Sequence, residues 1–155
     1  MILRLSLDLP EDESLTGMVR HLSRTVLGSL HVSPKDIDDL EYVIGELSTN
    51  AVRHADDLTY SIELEMHPDR AIVTVIDRGK GFSFANVPPP GTLRVDESGA
   101  ERMGGWGLPL VQMLADHVEF RRTNPHGTTV RVEKILHYEG KDAEVGPHKE
   151  PAARK

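Results

Sequence analysis

The sequence predicts an α/β (α+β) two-layer sandwich, with helices on one face of a mixed, mostly antiparallel sheet. Three observations carry that expectation. Stretches that alternate apolar and polar residues flank stretches with helical apolar spacing, in the order strand, two helices, hairpin, long loop, helix, hairpin. One helix start is marked by capping residues rather than by spacing alone. The length, 155 residues, is the usual size of one domain.

The elements follow in order. Residues 2–9, ILRLSLDL, alternate as a half-buried strand does. A helix is expected from near Ser14, with Leu15, Val19, Leu22, Val26 and Leu30 at helical spacing. Ser33-Pro34-Lys35-Asp36 starts a second helix: Ser as N-cap, Pro in the first helical position, Asp in the first turn. That helix carries Ile37, Leu40, Ile44, Leu47 and Ala51 and should end near Ala55. Residues 59–66, TYSIELEM, and 71–77, AIVTVID, read as a hairpin turned at His67-Pro68-Asp69-Arg70. Residues 78–105 lose periodicity and hold three consecutive prolines, 88–90, among many glycines. So long a loop in a compact domain is usually functional or disordered. A third helix is expected from about Leu108 to His117. Val118–Arg122 and Thr128–Ile135 then form a strand pair turned at Asn124-Pro125-His126-Gly127. The remaining segment, 138–155, is polar and should be a disordered tail.

Composition narrows the function. Apolar residues make up 38% and aromatics only 5%, so Leu, Val and Ile must fill the core. A net charge of −7 argues against a general nucleic-acid or anionic-membrane surface. There is no Cys, which excludes disulfides and thiolate metal sites. Acidic residues interrupt the N-terminus too early for a secretory segment, and no window approaches the ~18 apolar residues of a membrane span. The chain is expected to be cytoplasmic.

Three motifs stand out. On the second helix, ELSTNAVRHA (46–55) sets Glu46, Asn50, Arg53 and His54 beside the apolar arc. At ~100° per residue, Asn50 lies roughly 40° from Glu46 and Arg53 about 20° on its other side. A solvated face would explain this ridge. So would a site in which a carboxylate and an amide oxygen face a hard cation such as Mg²⁺, with the carboxylate as general base. Asp77-Arg78-Gly79-Lys80-Gly81 ends a buried-looking strand and could alone be a turn. Gly104-Gly105-Trp106-Gly107-Leu108 opens a helix, where backbone N–H groups can approach a phosphate; a hinge would explain it too.

In this order, E-x-x-x-N, D-x-G-x-G and G-x-G resemble the Bergerat (GHKL) ATP-binding fold. That superfamily includes gyrase-type topoisomerases, the ninety-kilodalton heat-shock chaperones, histidine kinases and MutL. Within it, ELSTNAVRHA, VIDRGKGF and GGWGLPLV resemble the bacterial anti-sigma-factor serine/threonine kinases. The resemblance covers residues 1–137, which it implies form a single ATP-binding domain with 82–103 as the lid. It implies Glu46 as the general base and Asn50 as the Mg²⁺ ligand. Asp77 would accept the adenine amino hydrogen, with Gly79 and Gly81 giving close approach. Gly105, Gly107 and Leu108 would form the nucleotide-side anchor of the lid. Thr128 matches a Thr that supports the adenine-binding Asp, with Thr129 as a rival. Arg53 reaches the phosphates or pairs with a surface acid. His54 reads as a packed histidine, and Trp106 as a buried residue or a cover for the lid base.

The resemblance implies ATP and Mg²⁺ as cofactors. The implied partners are an anti-anti-sigma (STAS-type) protein as substrate and a sigma factor, and a homodimer is admitted. The alternatives are a nucleotide-dependent protein-binding switch with little catalysis, or a switch kinase in a signalling complex that binds no sigma factor. Glu46 argues against a pure binder, which has no need of a base. A histidine kinase would need a helical dimerisation segment bearing a phosphoaccepting His; His21 lies on the first expected helix, but no second long helix precedes the ATP module, so this reading ranks last.

Overall fold

The computed structural model describes residues 1–54, 59–79, 92–95, 101–104, 107–122 and 126–140. In chain order they form β1 (Leu3–Pro10), α1 (Ser14–Ser29), α2 (Pro34–His54), β2 (Thr59–Met66), β3 (Arg70–Asp77), β4 (Thr92–Val95), β5 (Glu101–Gly104), α3 (Gly107–Leu114), β6 (His117–Arg122) and β7 (Thr128–Ile135). Five strands make one sheet in the order β1-β2-β3-β7-β6, and every pairing in it is antiparallel, a sharper form of the mostly antiparallel sheet expected.

Alternation along each strand decides which face is covered. Tyr60, Ile62, Leu64 and Met66 of β2, Ala71, Val73 and Val75 of β3, and Val130 and Val132 of β7 are buried in one core. From the helix side it is closed by Val19 and Leu27 of α1, by Leu40, Val43, Ile44, Leu47 and Ala51 of α2, and by Leu108 and Val111 of α3. The other face carries cross-strand ion pairs, such as Arg4–Glu65 and Arg70–Glu133.

Helix α1 turns its Val19–Ser23–Leu27 line fully inward, while Leu15, Leu22 and Val26 are only half-buried. Ser23 is accommodated because its hydroxyl donates to the Val19 carbonyl at 2.8 Å. The helix ends without glycine. His31 takes a left-handed φ of 58°. Its N–H donates to Gly28 O at 3.0 Å and the Val32 N–H to Leu27 O at 3.3 Å, the paired closure of a Schellman turn. Helix α2 begins where its signal stands: the Asp36 N–H donates to Ser33 Oγ at 3.3 Å, and Ser33 Oγ donates back to Asp36 Oδ2 at 3.0 Å.

Asp36 is also the centre of a buried polar cluster. It is 2% exposed and accepts the His137 backbone N–H at 2.7 Å. Lys134 of β7, itself 7% exposed, sets its Nζ 3.5 Å from Asp36 and 3.0 Å from Asp39, and donates to the Leu114 carbonyl at 3.1 Å. One ammonium thus ties the end of β7 to the start of α2 and the end of α3.

Three features differ from expectation. Helix α3 ends at Leu114 rather than about His117, which instead opens β6, because the Asp116 N–H already donates to Glu133 O of β7 at 2.9 Å. A two-stranded hairpin, β4 with β5, lies inside the expected lid, Thr92 opposite Gly104. Four-residue strands are too short for alternation to reveal. The expected tail also begins too early at 138. Tyr138 bridges to Val32 and donates its hydroxyl to His67 O at 3.2 Å, and the Glu139 N–H donates to His31 O at 2.9 Å. Residues 141–155 lie outside the described ones. A chain ended after Ile135 forfeits buried Leu136 as well as Tyr138. It is expected to be less stable than one ended after Gly140 by about 2–5 kcal/mol. Coincident urea midpoints for the two would show that the segment contributes nothing.

Among the described residues, no helix is long and apolar enough to cross a membrane.

Candidate active site

The apolar arc of α2 faces the sheet, so its next residues fall at the rim of the core. Glu46 and Asn50 are there, both half-buried, and Arg53 is exposed. Tyr42, one turn before Glu46, is half-buried as well; burial, then the charge of Glu46, raises its phenol above the ordinary value. The Glu46 carboxylate reaches across to the first residue of α3. A methyl carbon placed on Gly107 would meet Glu46 Oε2 first, with Cδ at 2.9 Å and Cγ at 3.6 Å. The E-x-x-x-N helix and the end of the G-x-G segment, far apart in sequence, are therefore in contact. Leu108 turns into the core.

The second group sits in the sheet. Directly opposed residues of antiparallel strands share a face. Leu9, Tyr60, Asp77 and Thr128 stand opposite one another in succession across β1, β2, β3 and β7. All four are buried, Asp77 and Thr128 at 2% exposure each. Thr129 pairs with Ile76 and belongs to the other face, so the register puts Thr128 and not Thr129 beside Asp77. The Asp77 carboxylate accepts the Gly79 N–H on Oδ1 at 2.7 Å, which folds the chain back at the end of β3.

Tyr60 is wholly buried next to Asp77. Burial pushes its phenol up, partly opposed by Ser48 of α2. Ser48 itself donates its hydroxyl to Ile44 O at 2.6 Å. These two buried hydroxyls were not singled out from the sequence. Ser48 follows Leu47 in the arc and could have been found by extending the helical wheel.

Gly127 was also missed as a site residue. It has a φ of 118°, and a methyl carbon there would press on the Asp77 carbonyl and lie 3.1 Å from Arg78 Cα. Glycine is required twice over, by the left-handed backbone and by close approach to the strand end that carries Asp77. Its place just before Thr128 was the available signal. Gly81, Gly105 and Trp106 lie outside the described residues, as does the side chain of His54.

Known proteins share the sequence family and the fold. A family model described as a histidine kinase-like ATPase domain matches residues 9–134. The serine-protein kinase RsbW of Bacillus subtilis strain 168 is 31% identical over 147 residues, 89% of either chain. RsbW of Bacillus pumilus strain SAFR-032 is 29% identical over 148 residues, again 89% of either chain. Among solved structures, the RsbU and RsbW domains of Rv1364c from Mycobacterium tuberculosis share the fold, with a TM-score of 0.63 and 22% identity over 86% of this chain and 32% of that one. The SiaB–SiaC complex from Pseudomonas aeruginosa gives 0.59 and 15% over 84% of this chain and 89% of that one. The chain belongs to the family of histidine kinase-like ATPase domains. That family, together with relatives named serine-protein kinases, makes the chain a kinase.

Proposed function

We propose that the chain binds ATP with Mg²⁺ and phosphorylates a serine or threonine of a small anti-anti-sigma (STAS-type) protein, and that it also sequesters a sigma factor. The observation that carries the nucleotide reading is Asp77. A carboxylate this deeply buried, one oxygen fixed by Gly79, sits at the end of a central strand beside Thr128. An ionised carboxylate only accepts hydrogen bonds, so it suits an exocyclic amino group, which brings two donors. Asp77 therefore fits the amino edge of an adenine base.

The other roles follow from position. Asn50 offers a neutral amide oxygen on the rim of α2, a suitable ligand for Mg²⁺, which keeps most of its waters. ATP supplies the phosphoryl group, whose transfer asks of the protein positioning and charge stabilisation rather than covalent chemistry. Glu46 takes the proton from the attacking hydroxyl, within reach of the α3 N-terminus. Arg53, exposed next along the ridge, is free to face phosphates or the partner. The names of the RsbW relatives support a serine-protein kinase, and partner and sigma factor are carried over from the resembled group.

Two measurements test this. Calorimetry should show Mg²⁺-dependent ATP and ADP binding, weakened several-fold or more by Asp77→Asn. Asn retains an acceptor for Gly79 but presents an NH₂ where a carboxylate oxygen stood. Unchanged affinity would remove the adenine role. Incubation with labelled ATP and candidate STAS-type proteins should then label a serine or threonine. Labelling without any sigma-factor capture would favour a switch kinase in a signalling complex, and binding without labelling a nucleotide-dependent switch.

A further inference from the structure

We infer that Gly107 is the seat of the Glu46 carboxylate, a positioning residue for proton removal rather than a residue chosen for its backbone. The inference rests on the reading of Glu46 as the base. Among the described residues, the glycines with left-handed φ are Gly127 and Gly140. Gly107 is not one of them and opens α3 in a conformation that any L residue adopts. Nothing in its own backbone calls for glycine.

The demand comes from across the cleft. A methyl carbon on Gly107 would overlap Glu46 Oε2 and approach Cδ to 2.9 Å. Ordinary carbon–carbon contact is about 3.5–4.0 Å, so the carboxyl group would have to retreat by roughly 0.6–1 Å. The retreat costs little, because the atoms concerned are the far end of a flexible, half-buried side chain. The fold should therefore survive a substitution that displaces the base. A misplacement of about 1 Å near the chemistry can cost ~10²-fold in rate.

The test is Gly107→Ala, with Glu46→Asp alone and in combination. Gly107→Ala should melt like the wild type, while kcat for transfer to the partner serine at saturating nucleotide falls roughly tenfold to a hundredfold, by more than any loss of ADP affinity. Shortening the base by one methylene relieves the clash. The double variant should therefore be faster than the product of the two single losses predicts, as coupled neighbours are. A wild-type kcat in Gly107→Ala, losses that multiply, or a loss of ADP affinity as large as the loss of rate would each overturn the inference. The last would mean that the glycine serves the nucleotide.

A second readout needs no kinase activity. The Gly107 amide NMR shift should follow the ionisation of Glu46 in the wild type and stop doing so in Glu46→Gln. If that titration is seen in a chain that phosphorylates nothing, the contact stands and the kinase reading of the site fails. If it is absent, the seat itself is refuted.

Discussion

Glu46→Gln is expected to leave nucleotide binding intact and to slow phosphate transfer by about 10²–10⁴-fold, the usual contribution of a general base. Glutamine keeps the length and the hydrogen-bonding capacity of glutamate and leaves the contact with Gly107 sterically unchanged. It cannot hold the hydroxyl proton. Asn50→Ala should behave in the opposite way, losing Mg²⁺-dependent affinity before any effect on transfer at saturating nucleotide. The two separate in one experiment, a binding curve and an initial rate on the phosphorylated partner for each variant. A wild-type rate in Glu46→Gln would assign the base elsewhere. If neither variant changed binding or transfer, the ridge on α2 would be a solvated helix face.

The largest effect on folding is expected at Asp36. Removing this carboxylate leaves the Lys134 ammonium with the Asp39 carboxylate and the Leu114 carbonyl, and strips an acceptor from the His137 N–H and from Ser33. Breaking a buried pair from one side typically costs 3–5 kcal/mol. Asp36→Ala should approach the lower end, about 3 kcal/mol, because Asp39 remains.

The pH dependence has a definite sign. Burial pushes the Asp36 carboxyl up. The His137 N–H and ring, the Ser33 hydroxyl and the Lys134 ammonium together outweigh burial and hold it below its ordinary 3.8. The native state therefore binds fewer protons than the unfolded chain in acid. The contribution is complete above about pH 5 and is withdrawn as the pH falls below 4 through the depressed native value. Urea midpoints from pH 7 to pH 3 should fall less steeply in Asp36→Asn than in the wild type. Parallel curves would show that the carboxylate is not held by the fold.

What the sequence revealed was local. Ser33-Pro34-Lys35-Asp36 marked the start of α2 because a cap is a short-range event, completed within three residues. The body of β7 was legible because its Val130-Arg131-Val132-Glu133 stretch alternates, although Lys134 and Ile135 break the pattern. The motifs around Glu46, Asp77 and Gly107 were equally visible, each being a few residues long.

What stayed hidden depends on distant partners. In α1 two adjacent stripes fit the helical period, and only packing against α2 selects Val19–Ser23–Leu27 over the one through Leu22 and Val26. Lys134 breaks the alternation on the face of Val130 and Val132, a misfit until Asp36 and Asp39, far earlier in the chain, are seen to receive it. Tyr138 reads as the first residue of a polar tail, because no count of apolar side chains shows that one hydroxyl will find the His67 carbonyl. The contact of Glu46 with Gly107 joins two motifs whose mutual placement no spacing records.

The place of β7 in the sheet has a consequence for how the protein is made. This strand comes last in the chain yet is inserted between β3 and β6. On the ribosome, β1, β2 and β3 can pair as they emerge, while the hydrogen-bonding edge of β3 beside Val73, Val75 and Asp77 waits for its neighbour. An apolar, unpaired edge is a template for other chains. Closing the long segment from Arg78 to Gly127 is also the slow, non-local part of folding. The nascent chain is thus most open to aggregation during the interval before Thr128–Ile135 is released. The same late pairing brings Thr128 to Asp77, so the site proposed for adenine is completed only when the sheet is, and a prematurely ended chain has neither.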